Sequence, residues 1–165
     1  VQDVAAMLKV KPAELAGRVE AALSEIRDLR HAVERYKDRE MLGEADRYLL
    51  SAKNVGGMKV LTATLNDTGA DALRKIGDFI RDKEENVVAV LSSINGEKIT
   101  FLAVCGKAAV KAGIKAGEII KNVTKICGGS GGGKPDSAMG GGKDVLKLDD
   151  ALATVDDFVA EKLGL

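Results

Sequence analysis

Gly128-Gly129-Ser130-Gly131-Gly132-Gly133-Lys134-Pro135-Asp136-Ser137-Ala138-Met139-Gly140-Gly141-Gly142 is the stretch on which the fold turns. Eight of these fifteen residues are glycine, so side chains do not account for it and close approach to the main chain does. Glycine tolerates positive φ and bares its N–H, and consecutive bare N–H groups form a concave nest suited to phosphate. An anonymous Gly/Ser tract is a flexible spacer. Here Lys134-Pro135-Asp136 stiffens and charges the middle, which a spacer does not need. A Gly-rich anion-binding loop over 128–142 is therefore expected.

Gly128 to Lys134 also fits the G-x-x-x-x-G-K core of a nucleotide-binding P-loop, and two features exclude that. Pro135 stands where a Ser or Thr must hold the metal ion, and the residues before the loop have helical rather than strand periodicity. Ile119, Ile120, Val123, Ile126 and Cys127 share one face of that helix, with Lys121 and Lys125 opposite.

Upstream, the periodicity predicts an α/β (α+β) chain: a long coiled-coil-like N-terminal helix, then a small globular domain with a mixed sheet of at least three strands packed by helices. Leu15, Val19, Ala22, Ile26, Leu29, Val33 and Tyr36 recur at alternating spacings of four and three. That heptad seam must meet a second helix, so exposed apolar surface and self-association are expected along it. Gly43 is a candidate kink or stop, with Ala45, Leu49 and Ala52 able to continue toward Asn54. The boundary is placed between residues 1–54, helical, and 55–165, globular. Within the latter, Met58–Leu65 and Val87–Ser92 flank a helix at Asp71–Lys83, so the two strands are expected to be parallel neighbours. Asn95-Gly96 then signals a tight hairpin into Ile99–Cys105. Short helices at 107–112 and 116–127 follow, and Asp144 is a candidate cap for a last amphipathic helix.

Lys134-Pro135-Asp136-Ser137-Ala138-Met139, followed by Gly140-Gly141-Gly142-Lys143-Asp144 and the closing helix, resembles the C-terminal domain of bacterial alanyl-tRNA synthetases. The resemblance extends over the helical first third and the strand-rich middle. It implies a module without a catalytic centre that contacts the outer corner of tRNA, with tRNA-Ala as partner and the rest of the synthetase attached in the parent chain. It also implies a helical hairpin, of which the long helix is one arm, and a homodimer through that helix. Lys134 replaces the family's Arg, exchanging a planar fork for a point charge. Ser137 and Met139 replace Met and Gln.

A related domain accompanies DHH-type phosphoesterases, where a Gly-rich motif ending in histidine holds substrate phosphate. Here Lys134 follows the glycines and no histidine does. The runner-up functions are thus the substrate-binding domain of an oligonucleotide phosphoesterase and a purely oligomerising domain.

Formal charge is zero over the chain, but residues 105–147 hold eight lysines against three acids, and residues 148–165 hold one lysine against five acids. A basic segment around a glycine tract fits phosphate binding, while overall neutrality limits indiscriminate adhesion. The expected tRNA-binding residues are Gly131, Gly132, Gly133, Lys134, Pro135, Asp136 and Lys143, with Lys121, Lys125, Lys107 and Lys111 nearby. Five Phe and Tyr residues and no Trp leave little for base stacking, so backbone shape and 2′-hydroxyls are the expected targets. The single histidine, His31, has no nucleophile or carboxylate placed beside it by any motif, and no metal-ligand spacing occurs. Catalytic residues, metal and cofactor are all expected to be none. Cys105 and Cys127 are expected as buried thiols in a reducing cytoplasm. No apolar run is long enough to span a bilayer, so no membrane partner is expected.

Overall fold

The computed structural model describes residues 1–165 and divides into two compact units, Val1–Met41 and Leu42–Leu165. The first unit holds α1 (Gln2–Met7), a 3-10 turn at Pro12–Glu14, and most of α2 (Leu15–Leu50). Pro12 opens the turn, where its missing N–H costs nothing. Gly43 does not end α2, which runs to Leu50. A lone helical glycine costs about 1 kcal/mol against alanine, too little to stop a helix whose end is anchored by packing. That anchor is Ala45, fully buried, beside an ion pair from Asp46 to Lys83.

The second unit is a six-stranded sheet in the order β1-β2-β3-β4-β6-β5. Its strands are β1 (Lys53–Val55), β2 (Met58–Asn66), β3 (Val87–Asn95), β4 (Lys98–Cys105), β5 (Ser130–Gly133) and β6 (Ser137–Gly142). β2 and β3 are parallel, joined through α3 (Ala70–Lys83), as the βαβ order predicts; every other pairing is antiparallel. Residues 53–55 form a strand rather than the end of the long helix. Gly56 and Gly57, at φ 58° and 88°, supply the two positive-φ positions of a tight hairpin turn back to Met58. The β3–β4 hairpin forms one residue later than Asn95-Gly96 suggests: Asn95 pairs with Lys98, and Gly96, at φ 64°, opens the turn.

α3 covers one face of the sheet with Leu73, Ile76 and Ile80, and Gly77 admits the side chain of Leu102, which lies 2.4 Å from where a Cβ would stand. α4 (Lys107–Lys111), α5 (Ala116–Ile126) and α6 (Leu148–Lys162) follow. The main core lies between the sheet and α5 and α6, with Val88, Val90, Phe101, Ala103, Ile120, Val123, Leu152 and Val155 among its members. Ser92 and Ser93 are buried yet satisfied: the Ser92 hydroxyl meets Thr64 at 3.0 Å, and the Ser93 hydroxyl accepts the Thr68 N–H at 3.0 Å. Asp144 precedes a 3-10 turn at Val145–Lys147 but makes no side-chain cap; its carboxylate instead lies 3.7 Å from the Lys147 ammonium.

The largest correction concerns residues 128–142, which form a β-ribbon and not a loop. Of the eight glycines only Gly128 has a positive φ, 68°. In an extended strand successive N–H groups point to opposite sides, so they cannot converge into a nest. The glycines answer a packing need. A Cβ on Gly131 would stand 2.4 Å from the Gly140 Cα and 2.6 Å from the Ile120 Cγ2; on Gly140, 2.7 Å from the Thr124 Cγ2; on Gly142, 2.7 Å from the Cys127 Cβ. α5 therefore lies on the ribbon at a distance that no other residue permits. Gly131→Ala is expected to lower stability by about 1–3 kcal/mol through overpacking. Gly132→Ala, whose Cβ would meet only the Lys121 Cε at 3.9 Å, is expected to change it by less than about 0.5 kcal/mol. Urea denaturation of the two variants checks the contrast.

Candidate nucleic-acid interface

β5 is the last strand of the sheet, so one of its edges has no partner strand. The N–H of Lys134 donates to the Ser137 carbonyl at 3.0 Å, which fixes the phase of the ribbon. Hydrogen-bonded and non-bonded pairs alternate in an antiparallel ladder. Gly132–Met139 and Ser130–Gly141 are thus the bonded pairs, and Gly131 and Gly133 turn their N–H and C=O groups to the side away from β6, where the Gly133 main chain meets Gly117 of α5. Bare amides survive here in alternation along an edge instead of in a nest.

The hairpin turn Lys134–Asp136 is tied down by main-chain bonds. Pro135 accepts the N–H of Ala116, the first residue of α5, at 2.8 Å, and Asp136 accepts the N–H of Cys105 at 3.0 Å. Lys134, Pro135 and Asp136 are all exposed. Between this turn and the start of α5 lies a groove of about 270 Å³ bordered by Lys115, Gly117, Glu118, Lys121, Gly133 and Pro135. Gly117 is required because a Cβ there would stand 2.9 Å from the Gly133 carbonyl oxygen. Glu118 brings a negative charge into the groove, but Lys162 holds it at 2.7 Å. That hydrogen bond, with the charges of Lys162, Lys115 and Lys121, lowers the Glu118 pKa against a smaller opposing effect of burial.

A second cavity, about 680 Å³, opens at the same end of the sheet. Arg81 at the end of α3 and Lys107 and Lys111 on α4 supply its cations, and Asp82, Glu85 and Asp136 its carboxylates. Arg81 is shared among Asp78, Asp82 and Asp136 at 3.3, 3.3 and 3.4 Å. Cys105 forms part of the floor, fully buried; burial, then the nearby Asp136 carboxylate, pushes its thiol pKa up to about 12. It is therefore a protonated, unreactive thiol at neutral pH. Cys127 is likewise buried and free.

The residues expected from sequence thus fall into three groups. Gly131, Gly133, Lys134, Pro135 and Lys121 gather along the β5 edge, with Gly132 on the same strand. Lys107, Lys111 and Asp136 line the larger cavity. Lys125 and Lys143 stand apart, at the far end of α5, where Lys125 accepts the Gly128 N–H and Lys143 donates its N–H to Cys127. Lys125 follows Lys121, the last α5 residue on the groove, by four residues, about 6 Å of helix rise. Sequence reasoning missed Arg81, because nothing in a helical pattern tells which exposed arginine will meet a hairpin 55 positions away. It also missed Lys115, although that lysine directly precedes α5. On the long helix Val19, Ile26, Leu29, Val33 and Tyr36 are exposed, as is Leu23, while Leu15 and Ala22 are half-buried. No group of His, Cys, Asp and Glu is placed to hold a metal ion. No helix is long and apolar enough to cross a membrane.

Comparison with known proteins returns a family model, the DHHA1 domain, over residues 57–161. An alanine–tRNA ligase of Methylobacillus flagellatus is 41% identical over 161 residues, covering 98% of this chain and 18% of the ligase. One from Acetivibrio thermocellus is 39% identical over 164 residues, covering 99% of this chain and 19% of the ligase. The chain therefore spans about a fifth of the length of these relatives. Among solved structures, the C-Ala domain of Aquifex aeolicus alanyl-tRNA synthetase superposes with a TM-score of 0.62 at 29% identity, covering 66% of this chain and 97% of that one. A DHH domain from a member of the S1p family of ribosomal proteins shares the fold, with a TM-score of 0.50 at 13% identity, covering 93% of this chain and 34% of that one.

Glu118 gives a pH test of the groove's wall. Its folded pKa lies below the ordinary 4.5, so the Glu118–Lys162 pair stabilises the fold fully above that value and is lost as pH falls through the lowered one. Glu118→Gln is expected to remove this part of the acid sensitivity, measured as a smaller difference in urea midpoint between pH 7 and pH 3 than in the parent.

Proposed function

The chain belongs to the DHHA1 domain family, in the form found in alanine–tRNA ligases, and on that premise we propose that it serves such a ligase as a non-catalytic tRNA-binding module. Its target is the outer corner of the tRNA, and it helps to link the aminoacylating and editing parts of the parent enzyme. The observation that carries the function is the β5 edge, where the bare amides of Gly131 and Gly133 run beside Lys121 and Lys134. Phosphate oxygens accept from amides, and ammonium groups within reach raise their local concentration. Both act on backbone and not on base identity, which suits a recurrent tRNA shape.

Lys107 and Lys111 widen the basic surface around the turn, whereas Lys125 and Lys143 reach it only if the RNA extends along α5. The long helix contributes a homodimer contact through Val19, Ile26, Leu29, Val33 and Tyr36, supported by their exposure. Exposed apolar side chains in a heptad row gain by burial against a second helix. tRNA-Ala is the partner that this family context favours, in the cytoplasm where translation occurs.

Lys134→Ala is expected to weaken tRNA binding without unfolding the domain, since the residue is exposed in a turn. Each lost phosphate contact should reduce the slope of log affinity against log salt by about 0.7–0.9. Fluorescence anisotropy with tRNA at several salt concentrations measures both. Parent-like affinity in Lys134→Ala and in Lys121→Ala would refute the edge as the binding surface. Sedimentation equilibrium is expected to show a concentration-dependent dimer that Ile26→Glu with Val33→Glu abolishes; a strict monomer would end the dimer proposal.

A further inference from the structure

The cavity of about 680 Å³ between the end of α3, α4 and the hairpin turn has a composition that the β5 edge lacks. Its volume falls in the range of small-molecule sites, about 300–1,000 Å³. Lys107 and Lys111 stand four residues apart on α4, so they share a face, and neither forms an ion pair. Two like charges at that spacing repel unless an anion comes between them. The same cavity is lined by Glu85, whose carbonyl accepts the Ala108 N–H at the start of α4, and by Asp82 and Asp136, which meet Arg81; ionised carboxylates accept hydrogen bonds and cannot bind phosphate themselves. Val110 and the buried Cys105 give the space between an apolar wall. Arg81 presents a guanidinium whose position is held by three carboxylates.

A bare phosphate gains little here, because the carboxylates balance the cations. A ligand that is anionic at one end and rich in donors at the other gains at both. We propose that this cavity takes one nucleotide unit, with its phosphate between Lys107 and Lys111 and an amino-bearing base directed to Glu85, Asp82 and Asp136. Carboxylates accept from the exocyclic amines of guanine, cytosine and adenine, whereas uracil has no such amine. Arginine guanidinium planes stack on bases, and Arg81 fills that role where aromatics are scarce. The unit comes either from an unstacked residue of a bound RNA or from free nucleotide. In its RNA form the proposal rests on the tRNA-binding function above.

Titration of the 165-residue chain by NMR with GMP, CMP, UMP and inorganic phosphate tests it. GMP and CMP are expected to shift the backbone amides of residues 105–111 and to bind about tenfold more tightly than UMP, the ratio a base-edge hydrogen bond supplies. Lys107→Ala with Lys111→Ala, both exposed positions, should abolish that binding, and Glu85→Gln should erase the preference over UMP; circular dichroism establishes that each variant is folded. Equal binding of UMP, or of phosphate alone, would overturn the proposal, as would unchanged GMP binding in the lysine pair variant. Adding tRNA to the GMP complex separates the sources: displacement of GMP assigns the cavity to an RNA residue, and simultaneous binding assigns it to free nucleotide. A parent that binds tRNA but no nucleotide overturns this inference and leaves the tRNA-binding function standing. Nucleotide binding without any tRNA binding does the reverse.

Discussion

α5 rests directly on the main chain of the β5–β6 ribbon, and the rest of the second unit is arranged around that contact. Ile120 and Thr124 occupy space that Cβ atoms on Gly131 and Gly140 would claim. Glycine weakens a strand, by up to about 1 kcal/mol relative to alanine. The loss is offset because Ile119, Ile120 and Val123 become buried, each contributing roughly 1.5–3 kcal/mol. Thr124 keeps its hydroxyl satisfied inside this contact by donating to the Ile120 carbonyl at 2.6 Å. The ribbon is in turn held by β4, whose residues Ile99 to Val104 pair with Ser137 to Gly142. Close packing on one face thus produces, as a consequence, an edge strand in which Gly131, Gly132 and Gly133 carry no side chains of their own.

Edge strands are ordinarily protected by charge, proline or cover. Here Lys134 and Pro135 stand at the end of β5, and Lys121 reaches across it from α5. The same features that discourage pairing with another strand favour a polyanion. α6 carries Asp149, Asp150, Asp157 and Glu161 on exposed positions, and its last residue, Lys162, reaches the groove. Lys162 neutralises the one acid that borders the groove. A chain of zero formal charge can therefore present a basic edge.

The first unit follows a different rule. α2 is a helix whose apolar row finds no cover within its own unit, since Val19, Leu23, Ile26, Leu29, Val33 and Tyr36 remain exposed. Inside the second unit its last turns are fixed instead by Ala45 and by the pair between Asp46 and Lys83, whose ammonium also sits 5.3 Å from the Phe79 ring centre.

The sequence by itself determined the helices, the parallel β2–β3 pair and the hairpin after β3, because apolar periodicity and turn residues act over a few positions. It also marked the glycine tract as a place of close approach, and its motif pointed to the family. What it left open was which partner approaches. Glycine is compatible with a nest, a linker or a strand, and only the position of Ile120, Thr124 and Cys127 against the ribbon selected the strand. The site divided in the same way. Lys121 and Lys134 were legible as basic residues near the tract, but their separation from Lys125 and Lys143, and the meeting of Arg81 with Asp136 across 55 residues, follow from how α3, α5 and the ribbon stack. Local pattern encodes the element; the distance between elements is settled by packing, which sums over residues remote in the chain.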